Sequence, residues 1–251
     1  MIEWLPKEHY TLEDLHAVCA ILRDPADGCP WDKVQTHQSI RKNFLEETCE
    51  ALEAIDADDP DMLREELGDV LMQVALHVCM EEEAGHFTLS DVCREVCEKL
   101  VYRHPHIFSR PGQQAAGLNS WDALKNKEKG RKGLADEVNT VPATLPALMR
   151  VQKLQKRAAP YRPQLADMAA AERRLEEAYA ALKEALHRPP AEPAPGAPET
   201  PPPAEPAAGA FLLAAANVLR LAGVDAEQAL SLAARDFAGE LVSQPQETDL
   251  L

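Results

Sequence analysis

Apolar residues recur along this chain at every third or fourth position and almost nowhere at every second, so its pattern is that of helices and not of strands. Thr11, with Asp14 three residues on, predicts a capped helix carrying Leu12, Leu15, Val18, Cys19 and Leu22 on one side. A turn rich in Asp, Pro and Gly, 24–31, ends it. A second helix is expected from about Ser39 to Asp56, with Ile40, Phe44, Thr48, Ala51 or Leu52, and Ile55 as its apolar stripe. Asp59 then offers an N-cap and Pro60 a first helical position for a long third helix, which carries Leu63, Leu67, Val70, Leu71, Val74 and Val78 and ends near Gly85. Thr88 and Asp91 cap a fourth, reaching about Arg103. Four helices in this order predict an all-α fold with a bundle-like unit. After His104-Pro105-His106 the chain is irregular, with short helices expected from Ser120 through Lys125 and from Pro146 across Leu148, Val151 and Leu154.

The last third divides on its composition. Pro189 to Pro206 holds 9 prolines in 18 residues, which only a polyproline-like or unstructured linker accommodates. The segments flanking it echo the second and third helices. Leu175-Glu176-Glu177-Ala178-Tyr179-Ala180-Ala181-Leu182 matches 45–52 in spacing, and the eight residues from Gly209 match those from Gly68. Apolar positions persist in the copy while carboxylates are lost: Glu50 is answered by Ala180, Glu66 by Ala207 and Asp69 by Ala210. The expected organisation is a chemically competent helical domain over 1–135, connecting helices and the start of a degenerate second domain over 136–188, a proline-rich linker over 189–208, and the rest of the degenerate domain over 209–251.

At 251 residues and 45% hydrophobic, the chain buries a core without disulfides. Its 42 Asp and Glu against 26 Lys and Arg give a net charge of −16, which repels nucleic acid phosphates, so DNA and RNA are not expected partners. No run approaches the roughly 18 apolar residues of a membrane span, and residues 1–10 lack the basic-then-apolar pattern of an export signal. A soluble, cytoplasmic protein with no membrane partner is expected. The six cysteines, all between Cys19 and Cys97, read as reduced thiols; Cys93 and Cys97 have no CxxC partner that would make a zinc site.

The carboxylates carry the chemistry. Glu46, Glu47 and Glu50 fall at i, i+1 and i+4 on the second helix, and Glu66 and Asp69 at i and i+3 on the third. A short connection makes the two helices antiparallel neighbours, so the sets face one another. Five like charges in one cleft raise each other's pKa values unless hard cations sit between them, and an oxygen-only donor set favours Mg²⁺ or Mn²⁺ over zinc. The competing reading is a solvated acidic helix face. Gly68 inside the third helix weighs against it, since a mid-helix glycine implies close approach by a neighbour.

Gly28-Cys29-Pro30-Trp31-Asp32, Gln35-Thr36-His37, Leu45-Glu46-Glu47 with Glu50, Arg64-Glu65-Glu66-Leu67-Gly68-Asp69 and Arg103-His104-Pro105-His106-Ile107-Phe108 together resemble the MazG nucleoside triphosphate pyrophosphohydrolases. Ser120-Trp121-Asp122 and Leu145 through Arg150 extend the resemblance to about residues 10–160. It implies a tight helical homodimer that cleaves a nucleoside triphosphate to monophosphate and pyrophosphate with Mg²⁺, as in nucleotide-pool house-cleaning. It also implies tandem domains, of which only the first here keeps its acidic motifs.

Carried over residue by residue, the resemblance has Glu47, Glu50, Glu66 and Asp69 hold Mg²⁺ on the triphosphate, with Glu46 completing the shell or orienting the attacking water. Lys99 and Arg103, one turn apart, suit the outer phosphates, or are surface solubilisers. Trp121 could stack on a base and Lys125 reach a phosphate; Trp31 is a further aromatic candidate, and for a lone Trp a core role competes. His104 and His106 read as structural. Three alternatives stand beside the hydrolase: a di-iron bundle, for which Glu83 to His86 is the single Glu-x-x-His; a non-catalytic or regulatory interaction protein; and a specialised relative acting on deoxyuridine triphosphate or phosphoribosyl-ATP.

Overall fold

In a computed structural model, the described residues are 6–108, 133–187 and 204–243, and all their regular structure is helical. The chain divides into two compact units, Met1–Lys125 and Asn126–Leu251.

Unit 1 holds α1 (Leu12–Leu22), a 3₁₀ turn (Asp32–Val34), α2 (Arg41–Asp56), α3 (Pro60–Ala84), α4 (Leu89–Arg103) and the one-turn α5 (Pro105–Phe108). The caps are those the sequence specifies. Thr11 and Asp14 form a reciprocal capping box on α1, as Thr88 and Asp91 do on α4. The Asp59 carboxylate accepts from the Asp61 and Met62 amides, 3.0 Å each, and Gly85 ends α3 in the left-handed region at φ 74°. α2 starts two residues later than expected because Ser39 is spent on the preceding turn: its amide and hydroxyl bond back to Thr36 and Gln35.

The core forms where α1 and the start of α2 meet the second half of α3: Cys19, Ile40, Ala75, Leu76, Cys79 and Met80, with Leu15 and Met72 against them. The expected stripe of α2 needs correcting. Ile40 and Ala51 are buried, but Leu52 and Ile55 are more than half exposed, and the buried face instead runs Ala51–Ala54. The face of α2 turned to α3 is therefore the one that carries the small residues. Gly68 is likewise corrected: an added Cβ would meet nothing within 4 Å.

The turn after α1 is tightly specified. The Asp24 carboxylate accepts from the Ala26 and Asp27 amides, and a Cβ at Gly28 would lie 2.4 Å from the Asp24 carbonyl oxygen, so only glycine fits. Arg23, 7% exposed, locks this turn to α3 with a two-pronged bond to Glu83, 2.7 Å on each arm, and donates to the Asp32 and Gln35 carbonyls. Glu81 does the same for the next loop: it bonds His37 and His86 at 2.7 Å each, and His37 stacks on His77.

Unit 2 holds α6 (Leu134–Asn139), α7 (Ala147–Ala158), α8 (Met168–His187), α9 (Glu205–Leu221) and α10 (Ala226–Ser243). α9 lies along α8, and α7 crosses α6, α9 and α10. Two expected boundaries shift. The division between 135 and 136 falls inside α6, which packs on α7 and places Glu137 2.7 Å from Arg157. Residues 205–208, expected in the linker, are already helix, because Pro206 occupies the first turn where its missing N–H costs nothing. The expected helix 120–125 and most of the proline-rich stretch lie outside the described residues. All six cysteines are free; burial pushes the Cys79 thiol up to about 12, so it is inert. No single described helix is long and apolar enough to cross a membrane.

Candidate metal centre on the α2–α3 hairpin

The connection between α2 and α3 is only three residues, with Asp58 in the left-handed region at φ 53°, and it folds α3 back along α2. That places Glu47 opposite the first half of α3. One carboxylate oxygen each from Glu47, Glu66 and Asp69 lies within 4.8 Å of the other two, with all three residues half-buried. Glu50, one turn after Glu47, stands close enough for its charge to raise the pKa values of both Glu47 and Glu66. Four of the five expected carboxylates therefore converge.

Glu46 does not join them. Its carboxylate pairs with Lys42 at 2.7 Å on the outer side of α2, about 100° around the helix from Glu47. Lys99 is exposed on α4 and Arg103 is 8% exposed, so the i, i+4 pair differs in access to solvent. Trp31 is 55% exposed in the turn before the 3₁₀ segment. Trp121 and Lys125 lie outside the described residues.

The electrostatics of the cluster are those of a site short of positive charge. Burial first, then Asp69 and Glu50, hold the Glu47 carboxyl above the usual glutamate range. Burial, then Glu50, Glu65 and Asp69, do the same to Glu66. An oxygen-only donor set whose members repel one another fits a hard divalent cation, and no His or Cys belongs to it. Sequence reasoning missed Gln73, one turn beyond Asp69 on the same stripe of α3. It is 4% exposed, and its Oε1 has no hydrogen-bond partner among the described residues. The i, i+4 spacing from Asp69 was the available signal.

The comparisons agree with this geometry. Residues 35–108, which contain every member of the cluster, match the MazG nucleotide pyrophosphohydrolase domain. A Thermotoga maritima protein named nucleoside triphosphate pyrophosphohydrolase/pyrophosphatase MazG is 36% identical over 226 residues, 90% of this chain and 82% of that protein. The chain belongs to the MazG family. The Escherichia coli (strain K12) nucleoside triphosphate pyrophosphohydrolase is 43% identical over 150 residues, which span 59% of this chain and 57% of the relative. The Mycobacterium tuberculosis protein of the same name is 42% identical over 132 residues, covering 51% of this chain and 40% of the relative. Against these two, the MazG chain described here spans about half of the relative's length.

Proposed function

We propose that unit 1 hydrolyses nucleoside triphosphates, ribo or deoxyribo, to the monophosphate and pyrophosphate with Mg²⁺, Mn²⁺ being a possible substitute, in a nucleotide house-cleaning role. The observation that carries the reading is the convergence of Glu47, Glu66 and Asp69, with Glu50 repelling two of them at close range, on the hairpin that matches the MazG domain. These four carboxylates would hold the cation. When bound, it would neutralise phosphate charge and lower the pKa of a water aimed at the α-phosphorus. The chain's own task is to keep four acidic groups together on a rigid hairpin, as the caps and the Ala51–Ala54 contact do. Glu46, paired with Lys42, stands beside the site, from where it could orient the water by exchanging that partner. Trp121 and Lys125 serve as candidate base and phosphate contacts, and Lys99 as a further phosphate contact.

Unit 2 is read as a degenerate second domain with no metal site of its own, since Ala180, Ala207 and Ala210 stand where carboxylates would be needed. A homodimer is supported by apolar residues left uncovered in unit 1. Val92, Val96 and Leu100 follow one another by four along α4, and Leu45, Leu52 and Ile55 share one side of α2, each between 37% and 61% exposed. Incubation with each common NTP and dNTP plus Mg²⁺ tests the activity. Pyrophosphate and monophosphate are expected; orthophosphate with accumulating diphosphate would make it an ordinary phosphatase.

A further inference from the structure

Three histidines and a glutamate gather in unit 1 away from the carboxylate cluster, centred on His77, which lies about 12 Å along α3 from Asp69. Glu81 bonds His37 Nε2 through Oε1 and His86 Nδ1 through Oε2, 2.7 Å each. His37 meets His77 through its other ring nitrogen, Nδ1 to Nδ1 at 2.7 Å, with the rings parallel within 8°. Phe44 lies edge-on to the His77 ring, with centres 5.7 Å apart. The group thus joins the loop before α2, the first turn of α2 and the second half of α3.

This chain of bonds limits the protons it can hold. Glu81 is kept below the usual glutamate range, chiefly by its bond to His86, so it accepts and His37 donates from Nε2. At 2.7 Å the two Nδ1 atoms share one hydrogen: with none, their lone pairs oppose one another, and with two, the hydrogens collide. Either a neutral His77 donates it to a neutral His37, or a charged His37 donates it to a neutral His77. Both forms carry at most one imidazolium, and a second proton would set a like charge beside the first. His77 is placed accordingly: burial first, then the charge of His37, hold its imidazole below the ordinary value of 6.5.

The other charged groups around the pair are already engaged or face elsewhere. Glu81 serves both His37 and His86. His16 of α1 faces Glu82 at 3.2 Å, about 140° around α3 from His77. Arg41, one turn on from His37, is exposed at the start of α2.

We propose that the His37–His77 contact is an acid-released latch that ties the loop before α2 to α3. Double protonation forces the two nitrogens apart, and His37 is the partner that leaves: its side chain is 43% exposed, whereas His77 is half-buried against Phe44. Ile40, in the core, holds the rest of α2 in place, so the release is local to the loop and the first turn of the helix. The latch does not rest on the hydrolase reading.

Hydrogen exchange of the full chain, read by mass spectrometry at pH 7.5 and pH 5 and corrected for intrinsic amide rates, measures the release directly. Amides of residues 37–44 are expected to lose about tenfold in protection at pH 5, the effect of one unit of pKa shift, while those of α4 hold theirs. His77→Asn keeps a hydrogen-bonding atom near the Nδ1 position and does not titrate, so its protection should not change between the two pH values. If that variant does not fold, nitrogen-15 NMR of the histidine rings in the unmodified chain carries the test: His37 and His77 should protonate in two separate steps, the second coinciding with the loss of protection. Unchanged protection at residues 37–44, an acid response that persists in His77→Asn, or independent protonation of the two rings would each overturn the latch.

Discussion

The two units hold their helices together by different means. Unit 1 buries Ile40, Leu76, Met80 and two cysteines in one apolar cluster and closes its turns with carboxylate caps. Unit 2 buries alanines and Val141 with polar side chains that reach backbone atoms of the neighbouring helix. Gln152 donates to the Ala216 and Val224 carbonyls and accepts from the Ala226 amide, Gln155 reaches Leu213, and Glu227 accepts from the Leu148 and Met149 amides. Glu227 thereby caps α7, whose own N-cap residue, Pro146, has no side-chain oxygen to offer. The lesson is that a helix pair keeps its register by side-chain hydrogen bonds to backbone where bulky apolar side chains are few.

The sharpest way to break this contrast is to remove one acidic group from each unit. Glu50→Gln or Asp69→Asn should cut nucleotide hydrolysis at least tenfold, with circular dichroism unchanged, because loss of a charged ligand at an open Mg²⁺ site removes several kcal/mol, in round terms about 2 to 4, of transition-state stabilisation. Glu176→Gln in unit 2 should leave turnover as it was. Removal of everything after residue 125 is the matching truncation, and turnover per site should persist in it. A cut near 160 would instead sever α7 from α9, which Gln152 and Gln155 join.

Next in size are the two kinds of packing. Leu76→Ala should cost about 2 to 5 kcal/mol in chemical denaturation, the usual range for a buried leucine. Glu137→Gln, which strips the charge from a buried pair with Arg157, should cost about 1 to 3 kcal/mol by weakening a charge-assisted bond. Equal, near-zero effects would mean that neither network holds its unit.

The pH dependence of metal stabilisation separates the units again. Glu47 and Glu66 have carboxyl pKa values raised in the folded state, so folding takes up protons there, and their ionisation opposes folding once pH climbs above the usual glutamate range. Mg²⁺ bound by the cluster, as proposed, would relieve that repulsion. Its addition should raise the unfolding free energy of unit 1, by up to about 2.7 kcal/mol at a hundredfold excess over Kd, more at pH 8 than at pH 4.5, where protons compete for the same oxygens. An increment independent of pH would remove the cluster as the binding site.

Two glycines of unit 1 come last, and Gly68 carries the smallest expected effect. Gly28→Ala collides with carbonyl oxygens at 2.4 and 2.6 Å and should destabilise by about 1 to 3 kcal/mol. Gly68→Ala meets nothing within 4 Å and should gain up to about 1 kcal/mol from helix propensity, provided no second copy packs there. Loss of stability on Gly68→Ala would locate a dimer contact beside Asp69, and ultracentrifugation of the variant would check it.

The helices, their caps and the members of the carboxylate cluster were legible in the sequence because each depends on neighbours within about four residues. Thr11 with Asp14, Asp59 with Pro60, Thr88 with Asp91, and the spacings 47–50 and 66–69 are local facts, and the three-residue connection was enough to bring the last two sets together. What only the tertiary structure decided is which side of each helix is used. It turned Leu52 and Ile55 out and Ala54 in, tied Arg23 to Glu83 sixty residues away, and left a space beside Ala171 and Ala214. Periodicity records that a helix has an apolar face, whereas which of two adjacent faces is covered depends on where its partner lies, and that is set by side chains far along the chain, as Ala54 buried beside an exposed Ile55 shows.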